Sequence, residues 1–154
     1  MLSRELPRLL AAWREAESVW EQTAQDDPEL EATREAVLRA WEAYNRAAGS
    51  FDAEEIVLVA DDHQRYVAVF GPTEALLGWS NDELTGTWIA DLTPVDAMEQ
   101  MDAAWSAFVM AGRLEGTYPL RTAAGGTVMT GFRARAHHPV NGLHVSRHWP
   151  VGPS

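Results

Sequence analysis

The chain has 154 residues, with 23 acidic side chains against 12 arginines, no lysine, no cysteine and a formal net charge of -11. Without lysine it cannot form a Schiff base or hold nucleotide phosphates through a P-loop lysine, and without cysteine it has no disulfide, thiolate metal site or cysteinyl flavin adduct. The acidic surplus opposes direct binding to nucleic acid and to anionic membrane surfaces, because both require a cationic patch.

The sequence has no run of 18 or more apolar residues, and charged residues interrupt its first twenty positions. We therefore expect a cytoplasmic protein that makes no use of a membrane. Length and composition fit one globular domain with an appended element. We predict a helical pair over 1–50, used for dimerisation, and a mixed α and β domain over 51–154.

In the first segment, apolar residues recur at spacings of three and four, which predicts two amphipathic helices. Asp27 is the predicted cap of the second helix, with Pro28 at its first position. Each apolar stripe must be buried, either within one chain or between two chains, and we predict a homodimer. The expected dimer interface consists of Leu6, Leu9, Trp13, Trp20, Leu30, Val37, Trp41 and Tyr44.

After Ser50 the apolar residues mostly alternate, as in strands. The helical spacing returns over a long stretch only once, before Gly112. Ser80 and Glu83 have the spacing of a capping box, and Thr93-Pro94 is predicted to open a long helix that ends at Gly112. The predicted elements are strands over 55–60 and 65–70, short helices over 73–77 and 80–84, the long helix, and strands over 116–122, 127–137 and 143–149.

Several short sequence pieces after Ser50 carry a recognisable pattern. They are Val59-Ala60-Asp61-Asp62, the stretch from Thr73 to Ser80, Glu83-Leu84-Thr85-Gly86, Asp91-Leu92-Thr93-Pro94, Gly125-Gly126 and the stretch from Gly142 to Ser146. In this order they resemble the PAS sensory-domain family, over about 56–150. The resemblance implies an α+β fold with a five-stranded antiparallel sheet, short helices and one long helix on one face. PAS domains act as sensors or as interaction modules, often with a ligand between sheet and helices.

PAS domains are usually joined to an output domain, whereas only five residues follow Trp149 here. We therefore expect the chain to act in trans on a protein partner, such as a kinase, a transcription regulator or another output protein. Its signal would pass through the N-terminal helices. No direct contact with nucleic acid is expected.

The residues give little support to a cofactor or to catalysis. Haem-binding members carry a histidine on or near the long helix, which has none here, so we do not expect haem. Trp79 and Trp88 could stack on a noncovalent flavin, but core packing explains them equally, and we do not expect flavin. Ser146 and His144 share a strand face without a nucleophile elbow, so we expect no enzymatic activity.

We also expect no metal site among the histidines. His144 and His148 share a strand face but lie roughly 13 Å apart at about 3.3 Å per residue, which is too far for one ion. His137 and His138 are neighbours on a predicted strand and would point to opposite faces.

The remaining feature is an apolar lining between the long helix and the sheet. Flexible methionines and the small Ala134 and Ala136 favour a pocket for a small apolar or aromatic ligand, whose binding would shift Trp105. The alternative is a filled core, which would make the chain a ligand-free protein-interaction adaptor. The predicted ligand-binding residues are Phe70, Trp88, Met98, Met101, Trp105, Phe108, Tyr118, Met129 and Phe132.

Overall fold

The computed structural model describes residues 2–24 and 26–151, which divide into two compact units at Asp52 and Ala53. The first unit contains helices α1 (Leu2–Gln22) and α2 (Leu30–Ala47). The second contains β1 (Ile56–Asp61), β2 (Tyr66–Phe70), α3 (Thr73–Leu77), α4 (Asn81–Leu84), short 3-10 turns at Ile89–Leu92 and Val95–Ala97, α5 (Met98–Ala111), β3 (Arg113–Arg121), β4 (Thr127–Arg135) and β5 (Leu143–Pro150).

In the first unit, α1 and α2 pack against each other along their apolar stripes. The indole of Trp13 lies 5.6 Å from the ring of Tyr44, measured between centroids. The predicted cap of α2 is wrong by two residues, because the cap position is Glu29. Asp27 instead closes the preceding turn, where its carboxylate accepts the Glu29 backbone N–H at 2.8 Å.

The described part of the second unit forms one five-stranded antiparallel sheet in the order β2-β1-β5-β4-β3. The predicted α+β fold is thus confirmed. The interior strand β1 places Ile56, Leu58 and Ala60 in the main hydrophobic cluster, while Val57 and Val59 on its other face are buried as well. This explains why β1 is apolar throughout rather than alternating.

The short helices α3 and α4 cover the cluster, and local hydrogen bonds fix the start of α4. The predicted capping box at α4 is confirmed: Ser80 Oγ accepts the Glu83 backbone N–H at 3.1 Å, and the Glu83 carboxylate accepts the Ser80 N–H at 2.9 Å. Leu77 and Leu84, from α3 and α4, are buried in the cluster. These short helices depend on that burial, since a turn or two of helix is not stable alone.

The predicted start of the long helix is wrong. Thr93 does not cap it, because its hydroxyl donates to the Ile89 carbonyl at 2.8 Å and lies 2.8 Å from the Tyr118 hydroxyl. Pro94 stays extended, a 3-10 turn follows, and α5 begins only at Met98. Val95, which would lie in the first turn of a helix opened at Thr93-Pro94, is instead 84% exposed.

The strand assignment of His137 and His138 is also wrong. β4 ends at Arg135, and His137 has a φ of 55°, which belongs to a turn and not to a strand. The two side chains therefore do not alternate across the sheet. The turn brings His137 back toward β5, with its ring 4.7 Å from that of His144 between centroids.

Candidate functional site

A cavity of about 370 Å³ lies within the second unit, bounded by α5 on one side and the sheet on the other. This volume is toward the lower end of the roughly 300–1,000 Å³ that small-molecule pockets span. Most of the lining is apolar, and the sheet contributes residues from all five strands.

On the helical side, Met101, Trp105 and Phe108 form the wall of the cavity. Their spacing of four and then three residues places them on one face of α5. Trp105 and Phe108 meet edge to face at 5.8 Å, and both contact the ring of His144 on β5, at 5.2 and 6.1 Å between centroids. These three rings form the first aromatic group of the cavity.

On the sheet side, Tyr118 of β3, Phe132 of β4 and His148 of β5 form a second aromatic group. Phe132 and His148 are direct partners in the β4–β5 register, and their rings stack at 5.6 Å. Tyr118 stands edge-on to both, at 5.9 and 6.3 Å. The antiparallel pairing of three neighbouring strands thus assembles rings that are far apart in sequence.

Hydrogen bonds fix the polar members of the second group. The Thr130 hydroxyl donates to the Tyr118 carbonyl at 2.8 Å and lies 2.9 Å from His148 Nδ1. His148 Nε2 lies 3.1 Å from Ser146 Oγ. Burial lowers the pKa of His148 to about 3, so the ring is neutral at physiological pH. Burial also raises the pKa of the Tyr118 phenol, which keeps its hydrogen.

The first group has its own polar contact at the end of β5. His144 Nε2 lies 2.7 Å from Asp62 Oδ1, and His144 Nδ1 accepts the His137 backbone N–H at 3.1 Å. Asp62, His137 and His144 are therefore close enough to resemble a metal site. However, the two hydrogen bonds occupy both ring nitrogens of His144, so the ring offers no free lone pair to an ion.

No protein-family model matches the sequence, and no curated protein matches it. Solved structures do. A PAS domain from Colwellia psychrerythraea superposes with a TM-score of 0.60 at 15% identity, covering 71% of this chain and 97% of its own. The PAS domain of the Cronobacter turicensis RpfR quorum-sensing receptor, in complex with BDSF, gives 0.55 at 14% identity, covering 66% and 97%.

The fold is that of a PAS domain. A third structure agrees: the PAS domain of a LuxR-family transcriptional regulator from Burkholderia thailandensis, in complex with ethanol, has a TM-score of 0.55 at 14% identity, covering 64% of this chain and 90% of its own. At these identities the likeness extends to the fold alone. Among the residues described, no helix has both the length and the apolar character that a membrane span requires.

Five of the nine residues predicted to bind ligand line the cavity. Phe70, Trp88, Met98 and Met129 do not line it. Trp88 and Met129 are each 48% exposed. Along β4, Thr130, Phe132 and Ala134 point to the cavity side of the sheet, and Met129 points to the opposite side. The five that line it are Met101, Trp105, Phe108, Tyr118 and Phe132.

Sequence reasoning missed the contribution of β5 to the lining. His144, Ser146 and His148 all border the cavity, yet the histidines were weighed only as metal ligands and, for His144 with Ser146, as a catalytic pair. The signal was the period of two along β5, combined with the register that pairs Ser146 with Ala134 and His148 with Phe132. The pairing of the strands depends on tertiary structure. Periodicity alone therefore showed that His144, Ser146 and His148 share one face of β5, but it did not show that this face borders a cavity.

The residues predicted to form a dimer interface fall into two sets within one chain. Val37 and Trp41 are buried, with 0% and 2% of their surface exposed, so they present no surface to a second copy. The other six are partly exposed. They are Leu6, Leu9, Trp13, Trp20, Leu30 and Tyr44.

Proposed function

We propose that this chain is a PAS-type sensory module that binds a small apolar or aromatic molecule in the cavity between α5 and the sheet. The observation that carries the proposal is the pair of aromatic groups, one around Trp105 and one around Phe132, that border a single cavity. Rings held edge-on and stacked offer favourable geometry to a further aromatic ring.

The volume of the cavity also supports a ligand. The apolar space of about 370 Å³ is large enough for a small aromatic molecule, since small-molecule pockets span roughly 300–1,000 Å³. The PAS domains from Burkholderia thailandensis and Cronobacter turicensis were solved in complex with ethanol and with BDSF, respectively. Those complexes support the same general use of the fold here.

We propose further that the signal passes in trans through the N-terminal helices of a homodimer. Ligand binding would change the packing of Trp105, and the change would alter the affinity of one chain for another. Such coupling is typically about 1–3 kcal/mol and is reciprocal, so the dimer would bind the ligand more tightly or more weakly by the same factor.

Native mass spectrometry of the full chain tests ligand binding. We expect the purified protein to retain a small molecule, or to take up an added aromatic compound at one per chain. Ala134→Leu places a larger side chain in the cavity and should abolish this binding. Ala103→Leu makes the same change at an exposed position of α5 and should leave it intact. A wild-type chain that binds nothing would instead favour the ligand-free adaptor.

Light scattering tests the homodimer. Leu9 is partly exposed on the apolar stripe of α1, and Ala12 is exposed on the same helix. We expect Leu9→Glu to produce monomers, because a charge would be buried at the interface, and Ala12→Glu to remain dimeric. A monomeric wild-type chain, or a Leu9→Glu variant that stays dimeric, would contradict this part of the proposal.

A further inference from the structure

The hydroxyl group of Tyr66 borders the cavity without a protein partner. Tyr66 lies on β2, is 4% exposed and lines the cavity. Its hydroxyl forms no hydrogen bond with any residue that the structure describes. Among the side-chain nitrogen and oxygen atoms of those residues, only Trp13 Nε1 is both fully enclosed and without a partner. The Tyr66 hydroxyl is therefore not enclosed by protein atoms, and the space that this buried residue borders is the cavity.

The surroundings of Tyr66 make an unpartnered hydroxyl unfavourable. The residue belongs to the main hydrophobic cluster, in which the other described, buried members are aliphatic. A hydroxyl that is removed from water without a new hydrogen bond costs free energy. An acceptor atom on a molecule inside the cavity would offset that cost.

The backbone holds Tyr66 from both sides of its strand. The Tyr66 N–H donates to the Thr87 carbonyl at 2.8 Å, and the Tyr66 carbonyl accepts the Gly86 N–H at 2.8 Å. On the other side, Tyr66 is the register partner of Ala60 on β1. A side chain on a strand that is paired in this way has a well-defined position, as a ligand contact requires.

The other donors around the cavity are satisfied in different ways. Trp105 is partly exposed and Thr117 is exposed, so their donors can bond to water. The Thr93 hydroxyl donates to a backbone carbonyl at 2.8 Å, and its 2.8 Å contact with the Tyr118 hydroxyl must therefore have Tyr118 as the donor. Tyr66 thus differs from these residues in being buried while its hydrogen has no acceptor.

The electrostatics of the cavity favour a neutral ligand. Burial raises the pKa of the Tyr66 phenol, and electrostatic interaction with Tyr118 and with Asp91 raises it further, so the hydroxyl keeps its hydrogen at physiological pH. None of the described residues that line the cavity is an arginine, and the chain has no lysine. An anion would lose its hydration and gain neither of these cations as a partner.

We propose that Tyr66 anchors the ligand by donating a hydrogen bond to it, and that the ligand is a neutral aromatic molecule with a carbonyl oxygen. The inference rests on the proposed ligand-binding function and names one contact and one ligand class within it. A carbonyl oxygen only accepts, so it needs no second partner among the aliphatic side chains near Tyr66.

Three probes of equal heavy-atom number test this contact by titration calorimetry of the full chain. Acetophenone has a carbonyl oxygen, α-methylstyrene has a methylene group at the same position, and benzoate carries a charge. We expect the two neutral compounds to bind to the wild-type chain and benzoate not to bind. The neutral compounds also differ in hydration, but this difference is the same for every variant and cancels when their affinity ratios are compared.

Tyr66→Phe removes the hydroxyl and keeps the ring. It should lower the ratio of acetophenone to α-methylstyrene affinity about fivefold, as the loss of one hydrogen bond implies, while α-methylstyrene binds as before. Thr117→Val removes an exposed hydroxyl of the same cavity, and Tyr44→Phe makes the matched change in the first unit. Both should leave the ratio unchanged.

The outcomes separate this inference from the sensor proposal. An unchanged ratio in Tyr66→Phe, an equal decrease in Thr117→Val, or benzoate binding as tightly as acetophenone would overturn the inference and leave the sensor proposal standing. A Tyr66→Phe chain that binds neither neutral compound would also overturn it, because α-methylstyrene does not need the hydroxyl. If none of the three probes binds to the wild type, both proposals fail.

Urea unfolding distinguishes a ligand contact from a structural role. Without ligand, Tyr66→Phe should keep or raise the midpoint of unfolding, because the hydroxyl has no protein partner to lose. Added acetophenone should raise the midpoint more in the wild type than in Tyr66→Phe. A lower midpoint in the ligand-free variant would show that the hydroxyl bonds to the protein, and would overturn the proposal.

Discussion

Phe132 and His148 stack across the β4–β5 pair, with ring centroids 5.6 Å apart and planes inclined by 21°. The stacking removes an ionisable ring from water and turns it into part of an aromatic wall. His148 thereby contributes both to the shape of the cavity and to its hydrogen bonding. The same burial makes the stability of the domain sensitive to acid.

We expect acid to destabilise the domain through His148. Burial lowers its pKa to about 3 in the fold, whereas an unfolded histidine titrates near about 6.5. The unfolded chain therefore binds more protons between these values. The contribution of His148 is complete above pH of about 6.5 and is lost as pH falls toward about 3, by up to about 1.4 kcal/mol per pH unit.

Urea unfolding at a series of pH values measures this slope. His148→Gln should reduce it, while His63→Gln, at an exposed histidine, is the control. His138 acts in the same direction, because burial and then the charge of Arg135 lower its pKa to about 4. An identical slope in the wild type and in His148→Gln would contradict the assigned role of His148.

The ion pair between Glu55 and Arg147 should be important for stability. Glu55 is 4% exposed, and its carboxylate accepts two hydrogen bonds from the Arg147 guanidinium, at 2.8 and 3.0 Å. Glu55→Ala leaves the Arg147 guanidinium charge partly buried and should lower the free energy of unfolding by about 3 kcal/mol. Glu115→Ala, at an exposed pair with Arg133, should cost under about 0.5 kcal/mol. Equal costs in urea unfolding would argue against this difference.

Gly131 should tolerate no side chain. A Cβ there would lie 2.5 Å from the indole nitrogen of Trp149, which packs over the backbone. Gly131→Ala should displace that ring and lower the free energy of unfolding by about 1–3 kcal/mol. At Gly126 the nearest atom to a new Cβ is Thr122 Oγ1 at 3.5 Å. Gly126→Ala should therefore have little effect on the same thermal or urea measurement, and a similar loss in both variants would contradict the steric explanation.

Thr93→Val should lower the stability of the domain. The Thr93 hydroxyl donates to the Ile89 carbonyl at 2.8 Å and lies 2.8 Å from the Tyr118 hydroxyl, and valine can form neither bond. The loss of two buried hydrogen bonds should cost about 1–3 kcal/mol in unfolding. Thr122→Val, at a partly exposed turn residue, is the control, and an equal loss in both variants in urea unfolding would count against this role of Thr93.

The sequence was sufficient for the architecture because each element carried a local signal. The period of two along β4, the capping box at Ser80 and the stripe of Met101, Trp105 and Phe108 were all readable without tertiary information. It failed where a side chain found a distant partner. Thr93 looked like a helix cap, but its hydroxyl bonds to Tyr118, 25 residues further along the chain, and the helix begins later.

The site was only partly predictable for the same reason. Phe132 and Met129 were both assigned to the lining, although two residues three positions apart on a strand point to opposite faces of the sheet. Size and apolar character had outweighed that alternation. His148 could not be recognised as part of the wall until the register placed it beside Phe132. Its hydrogen-bond partners, Thr130 and Ser146, likewise became evident only from the paired strands.

A crystal structure of the full chain grown with indole tests the proposed ligand site most directly. We predict an indole ring between Trp105 and Phe132, among the side chains that line the cavity. A cavity closed by repacked side chains, with no indole inside, would contradict ligand binding at this site.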